Sequence, residues 1–103
     1  MHTKKSGSAM IEVKRLGDDP VFAFEVVVRE TTGQSRYHVT LEPSLWQRLV
    51  AGRLPPERLL QAAFAFLLDR EPKEAILTRF DLSVISRYFP EFESELPRYL
   101  SSF

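Results

Sequence analysis

His38 is the one imidazole in a patterned segment of this chain, so chemistry that needs a base near neutral pH would have to start from it. Its neighbours on the same face of an alternating run are Arg36 and Thr40, with no carboxylate beside it on that strand face. General acid-base catalysis needs two or more converging titratable groups, so the neighbourhood reads as a solvated sheet surface. No catalytic residue is assigned. Glu91, Glu93 and Glu95 look like a carboxylate cluster, yet at helical spacing only Glu91 and Glu95 share a face, and no His is near to complete a transition-metal site. A solvated chain end is expected there, and no metal site. The glycines lie apart, which leaves no phosphate-cradling loop, and neither a nucleophile elbow nor a zinc-protease motif is present. No cofactor is expected. Asp81 and Ser83 precede an apolar stripe and are accounted for by helix capping, and Trp46 by core packing.

The composition agrees with one small folded domain. Its 103 residues suit a single core, which at this size removes roughly two-thirds of the unfolded chain's surface from water. Eight Phe, three Tyr and one Trp supply large buried areas, which argues against disorder. Lys plus Arg equals Asp plus Glu at 14 each, so there is no global field to attract nucleic acid or an anionic membrane. Cysteine is absent, which fits a reducing cytosol. The longest apolar run, AAFAFLL, is far too short to span a bilayer, and the expected location is cytoplasmic, away from membranes.

The periodicity changes once along the chain. Residues 1–9 are polar and aperiodic, and are expected to be a disordered tail or a cloning remnant, with Met10 as the natural start of a single domain over residues 10–103. From Ile11 the pattern alternates, again from Val21 to Glu30, and again from Arg36 to Leu41. Phe22, Phe24, Val26 and Val28 face one way, Tyr37, Val39 and Leu41 join them, and Gly33 suits a hairpin turn. After Leu41 the spacing becomes helical: Pro43 to Gly52, a longer helix after Pro55-Pro56 as far as Arg70, a short one from Pro72 through Phe80, and another after Asp81. A last turn opens near Pro90 and ends near Pro97. The expected fold class is α+β: a three-stranded antiparallel meander followed by three or four short helices packed on one face.

Two DNA-binding patterns bear on the spacing. A helix-turn-helix anchored on Ile76, Phe80 and Leu82 would put later apolar positions on Arg87 and Pro90, so the register fails. From Arg36 to Arg70 the order of strand, short helix, turn and longer helix, with LLQAAFAFLL as the second helix, resembles the ribbon-helix-helix repressors. That resemblance implies an intertwined dimer in which Arg36, His38 and Thr40 read base edges in the major groove. The first helix is shorter here than in that family, and the strand follows a hairpin. The stretches AFAFLLDREP and FDLSVISRYFPEF look like short bacterial proteins with no assigned activity.

The function expected from these features is a non-catalytic protein-interaction or regulatory module of a bacterial cytoplasm, working through a protein partner or self-association. A free edge on the third strand and surplus aromatics such as Phe66, Phe92, Tyr99 and Phe103 are the features that suggest it. The alternative is a ribbon-helix-helix-like DNA-binding regulator with contacts at Arg36, His38 and Thr40.

Overall fold

A computed structural model describes residues 9–101. The tail expectation for residues 1–8, and the role suggested for Phe103, lie outside the described residues. Ala9 lies half-buried against the core, and strand β1 (Met10–Gly17) begins at the next residue. It pairs antiparallel with β2 (Phe22–Glu30), which pairs antiparallel with β3 (Gly33–Leu41). Gly33 takes φ of 138° in the β2–β3 turn, a conformation that L side chains rarely adopt. The inward set is the one the alternation specifies: Phe24, Val26, Val28, Tyr37, Val39 and Leu41 are all buried. Val27 points to the other face yet is only 7% exposed. It stands in register between Glu12 and Arg36, whose long side chains can lie over it.

The sheet has four strands rather than three, in the order β1-β2-β3-β4, and it is mixed. Strand β4 (Arg79–Asp81) runs parallel to β3, with His38 opposite Arg79, Val39 opposite Phe80 and Thr40 opposite Asp81. A parallel neighbour requires a crossover of a dozen or more residues. Helices α1 (Pro43–Val50) and α2 (Pro56–Leu68) supply it, each starting with proline in its first turn. The expected helix from Pro72 to Phe80 is therefore corrected. Lys73–Ala75 make one 3-10 turn, Ile76 is extended, and the chain then enters β4. Helical spacing of Ile76 and Phe80 suggested otherwise, but the hydrogen bonds from His38 N to Thr78 O and from Leu82 N to Thr40 O, both 2.8 Å, hold the segment to the sheet.

Asp81 fastens this short strand. Its Oδ1 accepts from Thr40 Oγ1 at 2.6 Å, and its Oδ2 accepts from the Ser83 amide at 3.1 Å and from Ser83 Oγ at 2.7 Å. The carboxylate therefore turns the chain into helix α3 (Val84–Tyr88) by a bond two residues on, rather than by the expected cap. Asp81→Ala is expected to cost about 1–2 kcal/mol and to speed hydrogen exchange at the Leu82 amide, which donates to Thr40 O. Unchanged protection at Leu82 would show that the carboxylate does not hold the strand.

The helices build outward in two tiers. Ala62, Ala63, Phe64, Phe66, Leu67 and Leu68 of α2 are all buried, as a helix covered on opposite sides must be. Phe64 packs toward the sheet, its ring 5.0 Å from Tyr37 and 6.0 Å from Phe80. Phe66 faces the other way, with its ring centroid 5.8 Å from Phe89, 5.0 Å from Phe92 and 5.7 Å from Tyr99. Helix α4 (Phe92–Leu100) thus rests on α2 and not on the sheet, and it runs past Pro97, because Tyr99 and Leu100 beyond it pack against the core. Trp46 of α1 closes one end, edge-on to Phe22 at 5.6 Å, its indole N–H donating to Leu54 O.

Arginine pairs fix the tiers laterally. Arg15 makes two 2.8 Å bonds to Glu57 in the first turn of α2, where a carboxylate also suits the helix dipole. Arg48 of α1 is bidentate to Glu93 of α4, at 2.8 and 2.9 Å. Arg70 stacks 3.7 Å over the Phe66 ring and bonds Glu91. Among the described residues no helix is long and apolar enough to cross a membrane.

Candidate functional site

The outer sheet face carries the residues that the sequence singles out. Arg36, His38 and Thr40 do share it, with Glu25 directly opposite His38 on β2 and Arg79 opposite it on β4. A carboxylate thus stands across from the imidazole, which the strand's own sequence cannot show. That carboxylate is engaged elsewhere: Arg36 Nη1 donates to Glu25 Oε2 at 2.6 Å, and this bond holds the Glu25 carboxyl below its usual range. Thr40 is committed to Asp81. Over His38–Thr40 the strand has β2 on one side and β4 on the other, so the free edge expected for the third strand is absent there.

Two other expectations are redirected. Glu91, Glu93 and Glu95 diverge to separate arginines, Arg70, Arg48 and Arg98. Among the described residues there is no group of three His, Cys, Asp or Glu that could hold a metal ion. Three of the aromatics taken as surplus pack against the interior: Phe66 is fully buried, Phe92 nearly so, and Tyr99 is half-buried with its hydroxyl donating to Asp69 at 2.7 Å.

A different region has the shape of a recess. Beyond the end of α2 the chain folds around an apolar groove of about 380 Å³, floored by Leu67, Ile76, Phe80 and Ile85. This volume lies within the range of ligand-sized clefts, roughly 300–1,000 Å³. Leu77, 53% exposed, and Tyr88, 68% exposed, stand on its walls, and both are among the most exposed large apolar side chains of the described residues. Glu71 is the one charged residue in the lining, and burial alone pushes its carboxyl above the usual range.

The groove's position is fixed from beneath. Tyr37 reaches out of β3 and its hydroxyl donates to Lys73 O at 2.6 Å, tying the 3-10 turn to the sheet. Lys73 is itself buried and donates to Glu74 at 2.8 Å and Glu30 at 3.1 Å, the latter at the β2–β3 turn. Those bonds hold the Lys73 ammonium above its ordinary pKa. Phe80, seated between Phe64 and the groove, is placed by the β4 pairing. The sequence offers one signal for this site: Val84 and Tyr88 flank the apolar stripe of Leu82, Ile85 and Phe89 without belonging to it. Leu77, outside any element, gives none. No protein-family model, curated protein or solved structure matches the chain.

Proposed function

We propose that this chain is a non-catalytic protein-interaction module whose contact surface is the groove bounded by the end of α2, the 3-10 turn, β4 and α3. The observation that carries the reading is the pair of exposed apolar side chains, Leu77 and Tyr88, set at an apolar recess. Met10 and Leu16 are about as exposed as Leu77 but do not line the groove; what distinguishes Leu77 and Tyr88 is that they adjoin an apolar recess, and a contiguous apolar patch with an aromatic residue is what protein contacts use. The charged pairs Arg15–Glu57, Arg48–Glu93 and Arg70–Glu91 tie elements together, which leaves those groups to structure rather than to a site. The sheet face with Arg36, His38 and Thr40 is a weaker candidate, because Arg36 and Thr40 already serve neighbouring strands. Interchain ribbon pairing would also need an edge of β3 that β4 covers over His38–Thr40.

Selection of linear peptides from a random display library on the full-length protein tests the reading. Ala75 lines the groove from an exposed position, so Ala75→Trp fills the recess without entering the core. Enriched peptides should bind the native protein and lose at least tenfold in affinity for Ala75→Trp, whose melting temperature stays near that of the parent. Peptides that bind both proteins equally, or a library that yields none from a protein that also shows no self-association sensitive to Ala75→Trp, would overturn it.

A further inference from the structure

Resting on that reading, we infer that the groove selects a partner segment bearing a Lys or Arg next to its apolar anchor, and that Glu71 is the group that recognises the cation.

Glu71 differs from most carboxylates of this protein. Glu57 is held by Arg15, Glu91 by Arg70 and Glu93 by Arg48, whereas Glu71 has no ion pair or side-chain hydrogen bond among the described residues. The cations nearest in sequence are turned away from it. Arg70 lies over the Phe66 ring and bonds Glu91, and Lys73 is directed to Glu30 and Glu74.

Local backbone adds to the imbalance. The Glu71 amide bonds Leu67 O at 2.9 Å, which holds the residue just past the Asp69 C-cap at the C-terminal end of α2, the negative pole of the helix dipole. A carboxylate there repels the nearby carbonyl ends. Placed in a recess of otherwise apolar lining, it is also partly stripped of water, and it is half-buried. Both conditions are relieved by a cation and by nothing else in the groove. An apolar segment without one would desolvate the carboxylate further and leave it unpaired, which disfavours such partners. A second copy of this chain is the other apolar occupant to consider, and its binding would appear as self-association.

The test starts from the tightest peptide of the display selection, synthesised with its cation as Lys, as norleucine and as Glu. Each is titrated against the full-length native protein, Glu71→Gln and Ala75→Trp by fluorescence anisotropy at low and raised salt. The Lys peptide should bind the native protein about tenfold more tightly than the norleucine peptide and more tightly still than the Glu peptide. On Glu71→Gln the Lys and norleucine peptides should converge to within about twofold, and added salt should narrow the same gap on the native protein. Glu71→Gln should melt at or slightly above the native temperature, because the carboxylate it removes is unpaired and partly desolvated.

Enriched peptides that carry no cation, or a charge preference that survives Glu71→Gln, would overturn the inference while Ala75→Trp sensitivity left the groove reading standing. Peptide binding indifferent to Ala75→Trp would remove both. Concentration-dependent dimerisation abolished by Ala75→Trp, with no peptide enriched, would assign the groove to a second copy and also overturn the cationic partner.

Discussion

Phe66→Ala is expected to lower the unfolding free energy by about 3–5 kcal/mol, a large share of the roughly 5–15 kcal/mol that a domain of this size possesses. The ring is fully buried and stands at the junction of the two helical tiers, touching Phe89, Phe92 and Tyr99 at once. Helix α4 rests on α2 rather than on the sheet, so the cavity left by the ring would lie under the whole outer tier. Loss of the ring also removes the surface on which Arg70 stacks. Urea denaturation followed by circular dichroism and by Trp46 fluorescence checks the loss, and the apparent melting temperature should fall by about 4–8 °C for each kcal/mol. Phe66→Leu retains most of the volume and should lose well under half as much. Tyr88→Ala, at a position 68% exposed, should remain within about 0.5 kcal/mol of the parent. If Phe66→Ala cost under about 1 kcal/mol, the outer tier would not depend on this ring.

Tyr37→Phe is expected to cost about 0.5–1.5 kcal/mol at neutral pH, and to flatten the loss of stability in alkali. The hydroxyl is buried and donates to the Lys73 carbonyl at 2.6 Å, so its removal takes the shorter of two bonds from an acceptor that keeps only the 3.4 Å bond from the Ile76 amide, while the ring still fills its place. Burial is the main cause that raises the Tyr37 phenol above its ordinary 10.0. A group whose pKa is higher in the folded state stabilises the fold fully below its unfolded value and loses that contribution as the pH rises through the folded value. Lys73 obeys the same sign, because hydrogen bonds to Glu74 and Glu30 raise it above 10.5. Stability should therefore be level through the neutral range and fall as the pH climbs past about 10, more steeply in the native protein than in Tyr37→Phe. Equal alkaline slopes would show that the phenol is not the group responsible. In acid the sign reverses for the paired carboxylates: Glu57, held low chiefly by its bond from Arg15, gives stability that is lost as the pH drops below about 4.5. These pairs are partly exposed, so that limb should be shallow.

Both changes act on the platform of the groove, one through the outer tier and one through the turn beneath Ile76. They therefore serve as controls for the binding experiments, since loss of peptide through either would follow loss of structure, whereas Ala75→Trp and Glu71→Gln act at the groove itself.

The sequence alone determined the antiparallel part of the sheet and the face it buries. Alternation is a local property, and Phe24, Val26, Val28, Tyr37, Val39 and Leu41 can reach a core only from one side of a pleated strand. It likewise determined α1 and α2, where proline in the first turn and a 3.6-residue stripe leave little alternative. Strand β4 was decided by the tertiary structure, because its three residues carry no readable period and its side-chain bond from Thr40 to Asp81 joins positions 41 apart. The fate of the aromatics was decided there too. Phe66 and Phe92 read equally well as core or as exposed patch until α4 is placed on α2, since burial depends on what packs opposite and not on residue type. The groove follows from the same long-range placement. Leu77 and Tyr88 become neighbours of one recess only when β4 pairs with β3, and Glu71 is left without a cation only because Arg70 and Lys73 find their partners in distant parts of the chain.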